Sequence, residues 1–289
     1  MSHWQKIAQH ISDTTQNAFI IKNKSSLGGG SINAAYKVTG ENNAVYFVKH
    51  NHANLQYMFQ VEFDSLNELQ QTRDMLIPSP VCFGTADNYA YLVLEYIEMT
   101  SRGNHHLLGG ALANMHRITQ SQFGWYQDNI IGSTPQSNKR HSDWLSFWRD
   151  ERLLPQFKML YDKGYKTTLN SLSEKLLNNL EHILAGHQPV PSLLHGDLWS
   201  GNYAFNTQGH PVIFDPALYY GDRETDMAMT ELFGGFSADF YSAYNDSWPL
   251  EEGYQKRKIL YNLYHILNHA NLFGSSYLHQ AIGMMERLC

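Results

Sequence analysis

The chain has 289 residues, and at about 150 residues per domain this length predicts roughly two domains. It contains 21 Lys and Arg against 27 Asp and Glu, a formal net charge of −6, whereas a general nucleic-acid binder needs an excess of positive charge. Charged residues make up 17% and aromatic residues 13% of the chain, a composition that excludes a disordered protein.

Two features bear on location and partners. The cysteines, Cys82 and Cys289, are too few for a disulfide framework, which favours a reducing compartment. The N-terminal residues lack the pattern of a secretion signal, and the longest apolar stretch, 89–97, contains Glu95 and is far shorter than a membrane span. We therefore expect a cytoplasmic protein that binds neither a membrane nor a nucleic acid.

Residues 1–97 predict a small antiparallel sheet with helices. Apolar residues at positions 4, 7, 8 and 11 recur at helical spacing, and a second amphipathic helix is predicted over 55–72. Short runs rich in β-branched and aromatic residues predict strands at 19–21, 34–38, 44–49, 81–83 and 89–96. After the N-terminal helix, residues from about 17 to 97 are thus predicted to form a small antiparallel sheet with one helix beside it.

Residues 98–289 are predicted to be mostly helical. The spacing of apolar residues predicts helices over 105–116, 143–160, 168–184 and 226–288. The last helical stretch is broken at Gly234-Gly235 and around Pro249, and a strand–loop–strand passage covers 192–214. The sequence thus predicts an α+β fold with two units, 1–97 and 98–289.

The strongest functional motif is Leu-His-Gly-Asp-Leu-Trp-Ser-Gly-Asn at 194–202. Phosphoryl transfer needs one carboxylate to orient the attacking hydroxyl and oxygen ligands to hold Mg²⁺ on the phosphates. The spacing from Asp197 to Asn202 lets one short loop supply the base and one ligand, and Asp215, at the end of an apolar strand, supplies the second ligand. The alternative is a hairpin whose Asp and Asn side chains only satisfy backbone groups of the turn.

A glycine-rich motif lies between two predicted strands. Gly28, Gly29, Gly30 and Ser31 are expected to bind the phosphates of ATP, because glycines let backbone groups approach phosphate oxygens closely. A plain hairpin turn is the alternative, since no Gly-Lys-Ser/Thr sequence follows and no helix begins directly behind the glycines.

Lys49 and Glu62 form the third motif. Lys49 ends a predicted strand, and Glu62 lies in the middle of the predicted helix over 55–72. A strand lysine that contacts the α- and β-phosphates needs an anion to hold its flexible side chain, and a helix glutamate supplies one. The alternative is two unrelated charges on the surface.

These motifs follow one another in the order typical of protein kinases: glycine-rich loop, strand lysine, helix glutamate, connector, His-x-Asp-x-x-x-x-Asn and a final Asp. The connector Glu95-Tyr96-Ile97 is expected to offer backbone groups to adenine. We therefore expect a two-lobed protein-kinase-like fold that binds ATP and Mg²⁺ between a small N-terminal sheet lobe and a larger helical C-terminal lobe.

The chain resembles the fructosamine kinase (ketosamine-3-kinase) family, a group of kinase-like phosphotransferases related to aminoglycoside and choline kinases. The resemblance covers residues from about 20 to about 285. The segments that carry it are 28–33, 58–62, 128–136, 144–153, 195–202, 215–226 and 231–236. The last two are the most specific to the family.

The resemblance implies a kinase that transfers the γ-phosphoryl group of ATP to the 3-hydroxyl of a ketosamine, free or protein-bound. Loss of that phosphate then destabilises the adduct and frees the amine. By this resemblance Asp197 is the base, Asn202 and Asp215 are metal ligands, and Lys49 with Glu62 binds ATP. Trp199, Tyr219 and Tyr220 would line the substrate site. Asp226 would have a structural role in supporting the catalytic loop.

Several alternatives stay open at this point. An aminoglycoside- or choline-kinase-like enzyme with another hydroxyl acceptor is one, and a nucleotide-binding pseudokinase is another. His195 is interpreted as a scaffold of the loop by analogy with protein kinases, with a proton shuttle as the alternative. His265 and His269 have a spacing that zinc could use, but no third ligand is evident, so we interpret them as part of a polar helix face.

Overall fold

The computed structural model describes residues 1–28 and 32–289 and divides them into two compact units. The first unit comprises Met1–Gly103 and Ala204–Pro216, and the second comprises Asn104–Tyr203 and Ala217–Cys289. The boundary therefore lies a few residues beyond the expected position 97/98. The first unit also includes a later segment that the sequence assigned to the second. Gly29, Gly30 and Ser31 lie outside the described residues.

The first unit is built on a five-stranded antiparallel sheet. Its strands are β1 (Ile21–Leu27), β2 (Ala34–Gly40), β3 (Val45–His52), β4 (Pro80–Ala86) and β5 (Tyr89–Glu95). They lie in the order β1-β2-β3-β5-β4. The predicted sheet is confirmed, although β1 begins where the predicted strand 19–21 ends. Short turns join β2 to β3 and β4 to β5, and Asp87 has a left-handed backbone (φ 55°) in the turn before β5.

Two helices pack on this sheet. Helix α1 (His3–Thr15) begins at a capping box between Ser2 and Gln5 and buries its apolar face against a cluster that includes Val48. Helix α2 (Gln56–Leu69) follows a short 3₁₀ turn. Side chains alternate between the two faces of a strand, so Lys49 points away from the face that Val48 shares with α1. The sheet thereby presents Lys49 to α2.

A later segment of the chain returns to the first unit. Strands β6 (Met99–Thr100), β10 (Tyr203–Asn206) and β11 (Pro211–Ile213) form a sheet in the order β11-β10-β6. Leu76, between α2 and β4, donates its N–H to Pro211 O at 2.8 Å and accepts from Ile213 N–H at 3.1 Å. These bonds attach residues 204–216 to the first unit, which sequence periodicity does not reveal.

The second unit is mainly helical, as predicted. Its helices are α3 (His105–His116), α4 (Trp144–Phe147), α5 (Leu154–Leu160), α6 (Lys166–Ile183), α7 (Glu224–Leu232), α8 (Ala238–Ser247), α9 (Tyr254–Phe273) and α10 (Ser275–Leu288). Two short antiparallel pairs join them: β7 (Asn129–Ile131) with β8 (Thr134–Gln136), and β9 (Ser192–Leu194) with β12 (Tyr219–Gly221). The predicted breaks near Gly234 and Pro249 are present, but the break at Gly274 was not predicted.

The π-helical segment Trp148–Leu153 interrupts the helix predicted over 143–160. Beyond its end, Tyr161–Tyr165 joins α5 to α6 through a kink, where Gly164 has a non-helical backbone with φ +93°. Among the described residues, no helix has both the length and the apolarity needed to cross a membrane. Both cysteines are free, with Cys82 buried and Cys289 exposed.

A charge cluster that is buried except for Glu251 holds the chain at the start of α7. The ring nitrogens of His187 lie 2.7 Å from Asp222 Oδ2 and 2.7 Å from Glu251 Oε2. Arg257 donates two hydrogen bonds to the Glu224 carboxylate, at 2.6 and 2.8 Å. Burial opposes a charge on His187, but the hydrogen bond and the charge of Asp222 outweigh it and raise the pKa of His187. A protonated His187 can therefore donate to both carboxylates.

This geometry predicts a pH-dependent contribution to stability. Because the pKa of His187 is raised by folding, its contribution is complete below the unfolded pKa of about 6.5 and is lost as the pH rises through the folded value. We expect His187→Gln to lower the free energy of unfolding by about 2 kcal/mol at pH 6 and by less at pH 9. Urea unfolding at both pH values measures this, and a difference that does not change with pH would contradict it.

Candidate active site

Lys49, Glu62 and Asp215 meet in the first unit. Lys49 Nζ, on β3, lies 2.6 Å from Glu62 Oε1 on α2 and 2.5 Å from Asp215 Oδ1 after β11. Burial opposes the charge on Lys49, but the carboxylates of Asp215 and Glu62 outweigh it and raise the pKa of Lys49. Two carboxylates thus fix one ammonium group, and the alternative of unrelated surface charges is excluded for Lys49 and Glu62.

Asp215 has the backbone and the charge surroundings of a ligand-binding residue. Its φ angle is +58°, in the left-handed region, and strain of this kind is concentrated at functional sites. Its side chain is 46% exposed, whereas those of Lys49 and Glu62 are about one-tenth exposed. The accessible carboxylate of Asp215 suits a hard divalent cation, which prefers oxygen ligands.

The loop between β9 and β10 carries the His-Gly-Asp motif in the second unit. Gly196 has φ +81°, and a Cβ atom there would lie 2.0 Å from the carbonyl oxygen of Ala217. Ala217 N–H in turn donates to His195 O at 2.9 Å. The motif therefore needs glycine at this position, because the loop packs directly against the backbone that enters β12.

Asp197 and Asn202 are neighbours within this loop. Asn202 Nδ2 donates to the backbone oxygen of Asp197 at 2.8 Å and to its carboxylate at 3.3 Å. His195 is fully buried, and its Nδ1 lies 3.3 Å from the Asp197 N–H, which donates to it. This geometry favours the scaffold interpretation of His195 over a proton shuttle.

Asp226, in the first turn of α7, accepts hydrogen bonds from the backbone of the same loop. Its carboxylate accepts from the backbone N–H groups of His195 at 2.8 Å and Gly196 at 2.9 Å. It also lies 3.2 Å from Nε2 of His116, whose Nδ1 is 2.7 Å from the Tyr244 hydroxyl. Burial opposes ionisation of Asp226, but the hydrogen bonds from His116 and Gly196 keep its pKa below the ordinary value.

His116 contacts Asp226 and so helps to support the loop, a role that the sequence analysis missed. Burial lowers the pKa of His116, so the neutral ring can accept from Tyr244 and donate to Asp226. The signal was present in the sequence, since Leu108, Leu112 and His116 follow one another at four-residue steps on α3. A histidine that continues an apolar helix face is a candidate for burial with specific partners.

The three residues expected to line the substrate site differ in accessibility. Trp199, two positions after Asp197, is 38% exposed. Tyr219 and Tyr220, on β12, are only 2% and 5% exposed, and Arg152 lies over the Tyr219 ring at 4.0 Å. Their burial leaves Trp199 as the accessible ring of the three.

The remaining predicted ATP contacts lie in the first unit. Gly28 is exposed at the end of β1, and the rest of the glycine-rich motif lies outside the described residues. Glu95 pairs with Ser79 through backbone and side chain, at 2.8 and 3.2 Å, and Lys37 Nζ lies 4.2 Å from the Tyr96 ring. Ile97 follows as a half-buried residue. The contact of residues 95–97 with adenine and the contact of the glycine-rich motif with the phosphates stay predictions.

Comparison with known proteins identifies the family. A sequence model of the fructosamine kinase family matches residues 3–289. The chain belongs to the fructosamine kinase family. A probable ketoamine kinase of Synechocystis sp. is 47% identical over 98% of this chain and 96% of its own length. A chloroplastic protein-ribulosamine 3-kinase of Oryza sativa subsp. japonica is 38% identical over 94% of this chain and 80% of its own length.

Solved structures show the same fold. A protein of Haemophilus somnus assigned to the fructosamine-3-kinases is 28% identical, with a TM-score of 0.90 over 99% of this chain and 97% of its own. A choline kinase from Streptococcus pneumoniae, 15% identical, has a TM-score of 0.67 over 99% of this chain and 100% of its own, which shows the fold alone. The predictions of a kinase-like fold and of a kinase of the fructosamine kinase family are confirmed.

Proposed function

We propose that this protein phosphorylates the 3-hydroxyl of ketosamines, free or protein-bound, with ATP as the phosphoryl donor. The observation that carries the proposal is the family match over residues 3–289, together with relatives named ketoamine kinase and ribulosamine 3-kinase. The choline kinase is similar in fold alone, so it does not favour the choline-kinase-like alternative. No observation favours a pseudokinase.

Asp197 acts as the base in this proposal. Its carboxylate orients the sugar hydroxyl and takes the proton as the oxygen–phosphorus bond forms and the bond to ADP breaks. The loop restricts the direction in which the carboxylate can act, because the side chain accepts from Asn202 and the backbone N–H is bonded to His195. Asp226 supports that loop through two backbone hydrogen bonds.

Lys49, Asn202 and Asp215 bind the nucleotide in this proposal. Lys49, oriented by Glu62, contacts the phosphates, and the glycine-rich motif from Gly28 to Ser31 and the connector 95–97 hold the rest of ATP. The donor set fits Mg²⁺, because Asp215 offers an accessible carboxylate and Asn202 bonds to Asp197 through its amide nitrogen, the orientation that an oxygen ligand requires. Mg²⁺, when bound, would neutralise charge on the phosphates.

Phosphorylation at C3 is sufficient to start the release of the amine from the sugar. Phosphate on C3 becomes a leaving group, because enolisation at the adjacent carbonyl allows it to depart. The adduct then decomposes and the amine is released without a second activity of this protein. The cytoplasmic location expected from the sequence stays a prediction.

An acceptor panel tests the proposed function. ADP formation is measured with fructosyl-lysine, ribosyl-lysine, choline and an aminoglycoside at equal concentrations, with Mg²⁺ and ATP present. We expect turnover with the two ketosamines and none above background with the other acceptors. Turnover with choline or the aminoglycoside alone would establish the alternative acceptor class, and no turnover with any acceptor would favour the pseudokinase.

Asp226→Asn tests the support of the loop. An amide in place of the carboxylate can accept from one backbone N–H but directs an NH₂ group at the other, so the loop shifts. We expect kcat to fall about a hundredfold, since displacements near 1 Å have effects of this size, with the KM for ATP little changed. Asp239→Asn, at an exposed position on α8, is the control. Steady-state kinetics measure both, and an unchanged kcat for Asp226→Asn would contradict the proposed support.

A further inference from the structure

The turn between α7 and α8 has a backbone that only glycine adopts readily. Gly234 and Gly235 have φ angles of +72° and +99°. These angles lie in the left-handed region, which residues with a Cβ atom rarely occupy. We refer to residues Phe233–Phe236 as the glycine turn.

The glycine turn packs directly on the loop that carries Asp197. A Cβ atom at Gly235 would lie 2.4 Å from Cβ of Ser200, which is too close for two carbon atoms that are not bonded to each other. The Tyr203 hydroxyl donates to Gly235 O at 2.9 Å, and the ring centroids of Tyr203 and Phe236 are 4.5 Å apart. The loop and the turn are therefore in direct contact, so a group added to one at this point must displace the other.

This packing brings two accessible aromatic rings together. Trp199 and Phe233 are 38% and 39% exposed, and their ring centroids lie 6.4 Å apart at an interplanar angle of 78°. Phe233 also contacts the ring of His269, at 5.1 Å between centroids. Burial lowers the pKa of His269, so that ring is uncharged at neutral pH. The result is an uncharged aromatic surface close in sequence and space to the loop of Asp197.

We propose that the glycine turn is a positioning element for the phosphoryl acceptor, which fixes Trp199 and adds Phe233 as a second ring in contact with the ketosamine. This inference rests on the proposed kinase function and deepens it. Aromatic side chains suit the C–H faces of a sugar and the alkyl part of its amine, whereas the phosphates of ATP require charged and backbone N–H groups. The turn should thus affect acceptor binding and leave ATP binding unchanged.

The two glycines provide a matched pair of variants. Gly234→Ala introduces positive-φ strain, but a Cβ atom there has no neighbour within 4 Å, so this variant reports strain alone. Gly235→Ala introduces strain of the same kind, at the larger φ of +99°, and in addition the collision with Ser200. We expect kcat/KM for fructosyl-lysine to fall about tenfold further in Gly235→Ala than in Gly234→Ala. The KM for ATP should stay within about twofold of the wild-type value in both.

A rescue separates this role from a general loss of folding. Ser200→Gly removes the atoms that the new methyl group meets, so adding it to Gly235→Ala should restore most of the lost kcat/KM. Phe233→Ala, at an exposed side chain, should raise the KM for fructosyl-lysine roughly fivefold with kcat nearly unchanged. Tyr126→Ala, at a ring that is 58% exposed elsewhere in the second unit, is the control.

Three results would overturn the inference: equal losses in the two alanine variants, no rescue by Ser200→Gly, or a parallel rise in the KM for ATP. If the wild-type protein phosphorylates a ketosamine and the variants give any of these results, the positioning role is refuted and the proposed function stands. A wild-type protein that phosphorylates no ketosamine refutes the proposed function and this inference with it.

Discussion

Replacing Asp197 with Ala is expected to reduce phosphoryl transfer by at least about a thousandfold while ATP still binds with nearly wild-type affinity. The carboxylate acts on the hydroxyl in the transition state, so its loss lowers kcat more than it weakens ground-state binding of the nucleotide. Single-turnover kinetics with fructosyl-lysine give the rate, and calorimetric titration with a non-hydrolysable ATP analogue gives the dissociation constant.

Two further variants sharpen this test. Asp197→Asn keeps the size of the side chain but cannot take up a proton, so it should be nearly as inactive as Asp197→Ala. Asp239→Ala removes an exposed carboxylate from α8 and should retain full activity. An Asp197→Ala enzyme that turns over at the wild-type rate would show that another group serves as the base.

Lys49→Ala is expected to raise the KM for ATP by at least about tenfold and to lower kcat about a hundredfold. The change removes a charge-assisted contact to the phosphates and leaves Glu62 and Asp215 without the ammonium group between them. Two facing carboxylates would also repel the phosphates. Initial rates over a range of ATP concentrations separate the effects on KM and kcat.

Stability must be measured alongside these rates. Loss of one partner of a buried ion pair destabilises proteins by about 3–5 kcal/mol, although burial already raises the pKa of Glu62 and allows it to take up a proton. Lys49→Met fills more of the space and should fold better, with the same kinetic defect. Lys22→Ala, on the exposed side of β1, is the matched control. Normal ATP affinity and turnover in Lys49→Met would exclude Lys49 from the nucleotide site.

The sheet unit could be predicted from local patterns because its elements are short, regular and consecutive. The alternation along β3 and the apolar spacing along α2 suffice to bring Lys49 and Glu62 toward each other. The kinase-like order of motifs assigns Asp215 to the same ATP and Mg²⁺ site, and in the structure Asp215 lies 2.5 Å from Lys49.

The return of residues 204–216 to the first unit could not be read from the sequence. It depends on long-range bonds between Leu76 and β11, to which no local periodicity corresponds. The burial of Tyr219 was missed because it, too, depends on contacts with residues that are distant in the sequence. A tyrosine in a family-specific segment suggests a binding role, but β12 pairs with β9 inside the second unit and Arg152 covers the ring.

The π-helical segment Trp148–Leu153 was also beyond sequence patterns, because so short a segment with i→i+5 bonds has no apolar period of its own that could be recognised. That segment aims Arg152 into the interior, where its side chain donates to Ser137 O and Asn138 Oδ1. Sequence reasoning alone places an arginine on the surface.

Phosphorus NMR of the product formed from ATP and ¹³C-labelled fructosyl-lysine shows which hydroxyl group receives the phosphate. We expect a new phosphomonoester resonance coupled to the proton on C3 of the sugar, equal in amount to the ADP formed and followed by slow release of inorganic phosphate and lysine. A phosphomonoester on any other carbon, or ADP formed with phosphate released at once and no phosphorylated sugar, would contradict this expectation.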